Sequence, residues 1–301
     1  MAFVWLFFIL LVLFVFVILL DRLIEKMYQN PKARHRATPE NHNIPFEEIR
    51  IPVGKDGELY GWWIPASPGA LTLILVHGWG RNVARMLPFI RKLHPMGYNL
   101  LAFDARNHGG STPEKHPSVW SFTQDTLAAV DFVARGSLGV SGEIGVLGLS
   151  VGGGAAIDAA ALDGRIRSVV TVGAFSHPVE VMKLEFQKRR IPYIPFVWLF
   201  FKYLQLRSGL NFDRVAPENN IRPAQADIFL IHGHDDATIP LEQGEALYRA
   251  GNPDRTRFWI VPGKGHSDCH THPQFWEKVG AFLQEMLPLE TGAKQTELGT
   301  K

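Results

Sequence analysis

The 301-residue chain has a single cysteine, Cys269. That excludes an intramolecular disulfide framework and any zinc module built on several cysteines. An excess of one charge is missing too: 31 Lys and Arg face 29 Asp and Glu, for a formal net charge of +2. A nucleic-acid binder ordinarily carries a basic surplus on one face, so that partner class is set aside. Charged residues are 20% of the chain against 46% hydrophobic, a balance that excludes intrinsic disorder. No internal repeat is visible. The glycines and prolines are dispersed along the chain as turn residues, not gathered in low-complexity tracts. The length suits one large domain or two small ones with a full core.

What the sequence does contain begins at once. Residues 1–20 hold no charged side chain and are almost entirely Phe, Leu, Ile, Val and Trp. At about 1.5 Å per helical residue, roughly 20 residues span the ~30 Å of a bilayer's hydrocarbon core. A cleaved signal peptide would need a basic leader and a small-residue cleavage site. Neither is present around Leu19-Leu20-Asp21-Arg22. A cleaved signal peptide and a buried helix are the alternatives. The run is read as a transmembrane anchor. After it, residues 21–36 carry Arg22, Lys26, Lys32, Arg34 and Arg36 against Asp21 and Glu25. The positive-inside rule then places the following domain in the cytoplasm, on a single-pass topology. Residues 21–45 are expected to be a juxtamembrane linker, 46–288 a folded domain, and 289–301 a polar tail.

From residue 46 short apolar runs alternate with helical patterns. A hairpin over 46–53 and 58–64 is followed by strands at 71–76, 98–103, 144–149, 168–172, 227–231 and 257–261. Helices are expected at 85–94, 124–134, 152–161, 241–250 and 273–286. Strands apolar on both faces, alternating with helices, predict an α/β fold with a mostly parallel sheet. Function in such sheets collects at the carboxyl ends of the strands.

Those ends carry chemistry. Strand 144–149 runs into Gly148-Leu149-Ser150-Val151-Gly152, a G-x-S-x-G between strand and helix, as a nucleophile elbow requires. The Val151 N–H opens the next helix, where donors lack intrahelical acceptors. A serine hydroxyl needs a base. His266, on the glycine-rich loop Gly263–His266 after the last strand, can take and return a proton near neutral pH. An acid must orient it, and strand 227–231 ends in His232-Gly233-His234-Asp235-Asp236. Either aspartate could serve. The order Ser, Asp, His after three separate strands is that of α/β-hydrolases.

From about residue 46 to 287 the chain resembles the α/β-hydrolase superfamily, in its serine esterase, lipase and prolyl-oligopeptidase-like branch. The resemblance implies an α/β-hydrolase fold with a small helical lid. The family segment H-G-x-x-D-x-x-[IV]-P, read onto His232–Pro240, makes Asp236 the acid and leaves Asp235 the lesser alternative. The family's oxyanion donors fall on the backbone N–H groups of Trp79, after His77-Gly78, and of Val151. His77 is expected to be structural. Asp104 and Arg106, in a D-x-R-x-x-G-x-S segment, are expected to shape a loop.

The family's lid corresponds to an insertion at about 176–222. Its stretch Ile191–Leu206 is apolar nearly all round, with Pro195 suited to a first helical position. Trp198 and Phe200 are the candidate substrate-contacting residues there. His266, His270 and His272 lack a fixed metal-ligand spacing, so neither metal nor cofactor is expected. The expected function is a membrane-anchored serine hydrolase of carboxylic esters or thioesters, with apolar or lipid substrates favoured. The alternatives are a peptidase of the prolyl-oligopeptidase type and a non-catalytic, membrane-tethered binding protein on the same fold.

Overall fold

The apolar runs pair into one eight-stranded sheet. The computed structural model describes residues 1–28, 35–67, 69–114, 117–136, 138 and 142–289. The strands are β1 (Glu47–Val53), β2 (Gly57–Ile64), β3 (Thr72–Val76), β4 (Asn99–Phe103), β5 (Ile144–Leu149), β6 (Ile166–Val172), β7 (Asp227–Gly233) and β8 (Thr256–Val261). Their order is β1-β2-β4-β3-β5-β6-β7-β8. β1 and β2 form the antiparallel edge, and β4 through β8 are parallel.

Every residue of β3, β4 and β5 is buried, because helices cover both faces. Side chains alternate across the sheet. Ile74 and Val76 pack with α3 (Val119–Ala134) and α4 (Val151–Leu162), while Leu73 and Leu75 pack with α2 (Leu87–Leu93) and α9 (Phe275–Met286).

Some elements differ from expectation. The helix expected at 85–94 splits into a 3₁₀ turn, Val83–Met86, and α2. The one expected at 124–134 begins five residues earlier, at Val119, where Ser118 caps it by accepting the Ser121 N–H. The insertion holds α5 (Pro178–Lys188), a π turn over Tyr193–Val197, α6 (Trp198–Ser208) and the single turn α7 (Pro217–Asn220). Pro195 does not start a helix. The residue before a proline is driven out of the α region, and Ile194 is extended (φ −102, ψ 131). The helix therefore waits until Trp198. α8 (Leu241–Ala250) lies where expected.

At the N-terminus α1 covers Ala2–Tyr28. Its segment Phe3–Arg22 is long and apolar enough to cross a membrane, by length and composition. The expected linker is not all linker. α1 continues into it as far as Tyr28, 29–34 lie outside the described residues, and 35–45 return to the domain. His35 stacks on Tyr60 at 4.7 Å, Ile44 is buried, and Phe46 meets Trp62 edge-on. Apolar Ala37, Ile44 and Phe46 have a partner in the second core cluster, which a solvated linker would leave exposed. Beyond Leu289 the expected tail lies outside the described residues.

Candidate active site

The elbow forms because its glycines allow backbone to approach backbone. A Cβ on Gly148 would lie 2.2 Å from Gly152 O, and one on Gly152 would lie 2.6 Å from His77 O. The turn forces Ser150 to φ 55, ψ −119, a positive φ that a non-glycine residue rarely adopts. The position is held on both sides. Ser150 N–H donates to Val172 O at 2.9 Å, and Ser150 O accepts from Gly153 and Gly154 N–H as α4 begins. Strain kept by surrounding structure is a recurrent property of functional sites.

The β6 end brings the other candidates to this elbow. Gly173, next after Val172, has φ +66; a Cβ there would lie 3.0 Å from His266 Nδ1 and 3.5 Å from Asp236 Oδ2. Gly173 N–H in turn donates to Ile231 O of β7. His266 Nδ1 donates to Asp236 Oδ2 at 2.7 Å. Asp236 Oδ1 accepts the N–H groups of Thr238 and Ile239, each at 2.9 Å. Burial alone would raise the Asp236 carboxyl, but these hydrogen bonds outweigh it and hold the group below its ordinary value. Asp235 points elsewhere: it pairs with His234 on the exposed surface. The structure thus sets His266 against Asp236 and not Asp235.

The loop after β3 closes the other side. A Cβ on Gly78 would lie 3.3 Å from Ser150 Cβ, so the loop carrying Trp79 packs directly on the elbow. His77 fixes that loop. Its Nε2 accepts Ala105 N–H at 3.0 Å and its Nδ1 donates to Gly78 O at 2.7 Å. Burial brings its pKa down to about 4, so it is a neutral strut. His108 does the same one residue pair further on, accepting Gly80 N–H and donating to Arg106 O. Asp104 accepts the N–H groups of Val83 and Gly110, and Arg106 is held by Asp125 at 2.6 Å.

Trp198 and Phe200 fall in the insertion. Phe200 packs inside it, against Phe186 and Phe201. Trp198 lines an open cleft of about 430 Å³ with Phe201, Phe212 and Lys183, whose walls do not include Ser150, Asp236 or His266. Among the described residues no cluster of three or more His, Cys, Asp or Glu could hold a metal ion. His270 instead lies against Phe89, and His272 against Trp259. Cys269 is buried and its thiol is pushed up to about 12.

The sheet order, the Ser150 elbow and the His266–Asp236 pair form one constellation at the strand ends. The model of the Hydrolase_4 family, described as serine aminopeptidase S33, matches residues 68–220. The chain belongs to this hydrolase family. Among solved structures, an esterase of Pyrococcus furiosus, Pf2001, superposes with a TM-score of 0.69 at 25% identity, covering 86% of this chain and 99% of that one. The uncharacterized protein YqkD of Bacillus subtilis is 26% identical over 83% of this chain and 86% of its own length. The lysophosphatidylserine lipase ABHD12 of Xenopus tropicalis is 25% identical over 80% of this chain and 64% of its own length. The family's α/β-hydrolase fold is what the sheet and its helices display.

Three residues of the site escape sequence reasoning: Gly173, His108 and His232. His232 donates to Ile239 O at 2.8 Å and so anchors the turn that feeds N–H groups to Asp236. A signal existed for it, since His232-Gly233 after β7 mirrors His77-Gly78 after β3. Gly173 had a weaker one, a glycine at a strand's carboxyl end. His108 had none, because its partner lies 28 residues away.

Proposed function

We propose that the chain is a membrane-anchored serine hydrolase that cleaves carboxylic esters. Its domain spans 46–288 with a lid at about 176–222. Ser150 Oγ attacks the ester carbonyl carbon while His266 takes the hydroxyl proton. Asp236 keeps the imidazole in the tautomer whose Nε2 can accept that proton, and stabilises the imidazolium that forms. The Trp79 and Val151 N–H groups receive the oxyanion, an interaction worth several kcal/mol in the transition state. His266 then protonates the departing alcohol, leaving an acyl-Ser150 that water hydrolyses by the same steps.

The observation that carries this reading is the 2.7 Å His266–Asp236 bond lying on Gly173, next to the residue whose carbonyl holds strained Ser150. A scaffold protein has no use for that strain. A fluorophosphonate probe is expected to label the wild type and not Ser150→Ala; undiminished labelling of Ser150→Ala would remove the assignment.

An ester with an apolar acyl group is the preferred substrate. The insertion corresponds to the family's lid, and each CH₂ of a chain buried beneath such a lid is worth about 0.8 kcal/mol. The lipase activity named for the ABHD12 relative points the same way. A p-nitrophenyl ester series from acetyl to palmitoyl tests this, with turnover expected to favour the longer chains. The family description, serine aminopeptidase, supports a second reading, cleavage of an amide. Aminoacyl-amide turnover exceeding ester turnover, each relative to its uncatalysed rate, would put that reading first. Anchoring rests on Phe3–Arg22, and the cytoplasmic placement of the domain on the basic residues after it.

A further inference from the structure

α1 and α6 touch. Arg207 Nε donates to Asp21 Oδ1 at 3.0 Å, its second nitrogen grips Asp21 Oδ2, and the Tyr203 hydroxyl bonds the same carboxylate. Tyr203 also reaches Val17 O at 3.5 Å. Val17 lies within the apolar span that ends at Arg22, four residues before Asp21 and so about 6 Å from it along the helix axis. α6 therefore runs beside the last turn of the span, at the depth where hydrocarbon gives way to headgroups.

At that depth the insertion is unlike an ordinary protein surface. Phe201 and Val197 are buried in its own small core, with Phe200 and Leu204 packed against them. The opposite side is apolar and open: Ile194 is 73% exposed, Phe196 61%, Leu199 52% and Leu206 82%. Leu199, Tyr203 and Leu206 follow one another at helical spacing, so the open face is the one that meets α1. Tyr193 and Trp198 flank it, the residue types that favour membrane interfaces. Exposed Lys188, Arg189 and Arg190 precede it, and Lys202 lies within it. Of these four, Lys188 has a carboxylate partner in Glu185.

We propose that this face is a second membrane contact, with the segment Tyr193–Leu199 and Leu206 seated in the phospholipid surface beside α1 and the Asp21–Arg207–Tyr203 latch fixing its depth. The inference rests on α1 being a membrane helix. The occupant is a bilayer because the patch adjoins a bilayer-length helix, joins cations to apolar and interfacial aromatic residues, and has its own core already filled. An apolar face with basic residues at its border is the pattern of an interfacial segment.

The test uses the full chain in phosphatidylcholine vesicles, with and without a minority of phosphatidylserine. Phe196→Cys and, as a control, Glu277→Cys are each labelled with an environment-sensitive fluorophore. Cys269 is buried and does not compete. Glu277 is exposed on α9, across the sheet from α4. Spin-labelled lipid is expected to quench the 196 label several-fold more than the 277 label, and more strongly with phosphatidylserine. Adding Arg207→Ala should reduce the 196 quenching by half or more. Protein that resists alkaline carbonate extraction yet shows equal quenching at both positions overturns the second contact and leaves the anchor standing. A second copy of the chain on this face would give that result with a concentration-dependent 196 signal. Protein released by carbonate overturns the anchor and the contact together. Fluorophosphonate labelling of Ser150, measured on the same vesicles, reports separately on the hydrolase reading.

Discussion

His77 both donates and accepts, yet carries no charge at neutral pH. With its pKa brought down to about 4 by burial, it is a fixed strut between Ala105 N–H and Gly78 O. His77→Ala leaves the Ala105 N–H buried without a partner and Gly78 O with only the Arg81 N–H, at about 1–3 kcal/mol. Urea unfolding should register that loss. Because Gly78 lies on the elbow, kcat on a p-nitrophenyl ester should fall while KM changes little. Asp236 is the opposite case, a carboxyl held below its ordinary value by His266 and two backbone donors. Its stabilising charge is present above the unfolded value of about 3.9 and is lost as pH falls through the lower folded value. Asp236→Asn should keep the fold, lower kcat by roughly 10³–10⁴, and flatten the acid limb of a stability-versus-pH curve. Ser150 and His266 could be singled out from sequence because each follows a strand on a glycine-bearing turn. His108 and Gly173 could not, since what they do depends on which loop the sheet brings beside them.

Among the elements, β3 and β5 were legible because a strand buried on both faces is a run with no charged or strongly polar side chain after its first residue. α3 was legible only from its second turn. Its first turn buries Val119 and Phe122 at i, i+3 spacing, but two positions alone define no period, and the start is marked by Ser118. The insertion was least legible: Pro195 reads as a helix start, and the conformation it imposes on Ile194 delays the helix instead.

α4 conceals a further feature, a buried carboxyl. Asp158 accepts from Asn220 Nδ2 at 2.9 Å and lies 3.5 Å from Thr123 Oγ1, whose one proton serves Val119 O. Thr123 Oγ1 turns its donor toward Asp158 Oδ2 as well, at the long limit of a hydrogen bond, so burial is the dominant influence on this carboxyl. Burial brings its pKa up to about 8. The folded state keeps a proton that the unfolded chain releases near pH 4, so stability falls as pH rises from about 4 to 8. Asp158→Asn keeps an acceptor oxygen for Asn220 without titrating. Its stability should exceed the wild type's increasingly from pH 5 to pH 9, on the order of a few kcal/mol at the top, as read by chemical denaturation at each pH.

At the scale of the molecule, the chain leaves the apolar N-terminal helix and comes back to the sheet before the domain's first strand. His35 Nε2 bonds Asp104 Oδ2 at 2.7 Å, on the carboxylate that also holds Val83 and Gly110. Ile44 and Phe46 cover Trp62. Removal of residues 1–34 should leave thermal unfolding of the domain nearly unchanged. Removal of 1–45 strips that cover and should lower Tm by roughly 5–10 °C, at about 2–4 °C per kcal/mol for a domain of this size. Equal Tm values for the two truncations would show that 35–45 contributes nothing.

The hydrogen bond from Ser150 to Val172, with Gly173 tied to Ile231 beyond it, has a consequence for biosynthesis. The elbow's backbone is held only once β6 has paired with β5, and Gly173 is positioned only once β7 has paired with β6. His266 arrives later still in the chain. The Gly173–Ile231 contact closes a longer loop than Ser150–Val172, and long-range pairings form slowly. A nascent or half-folded chain therefore carries an ordinary, unreactive serine. Nucleophilicity emerges as the last strand docks, so on refolding, phosphonate reactivity should trail the recovery of secondary structure.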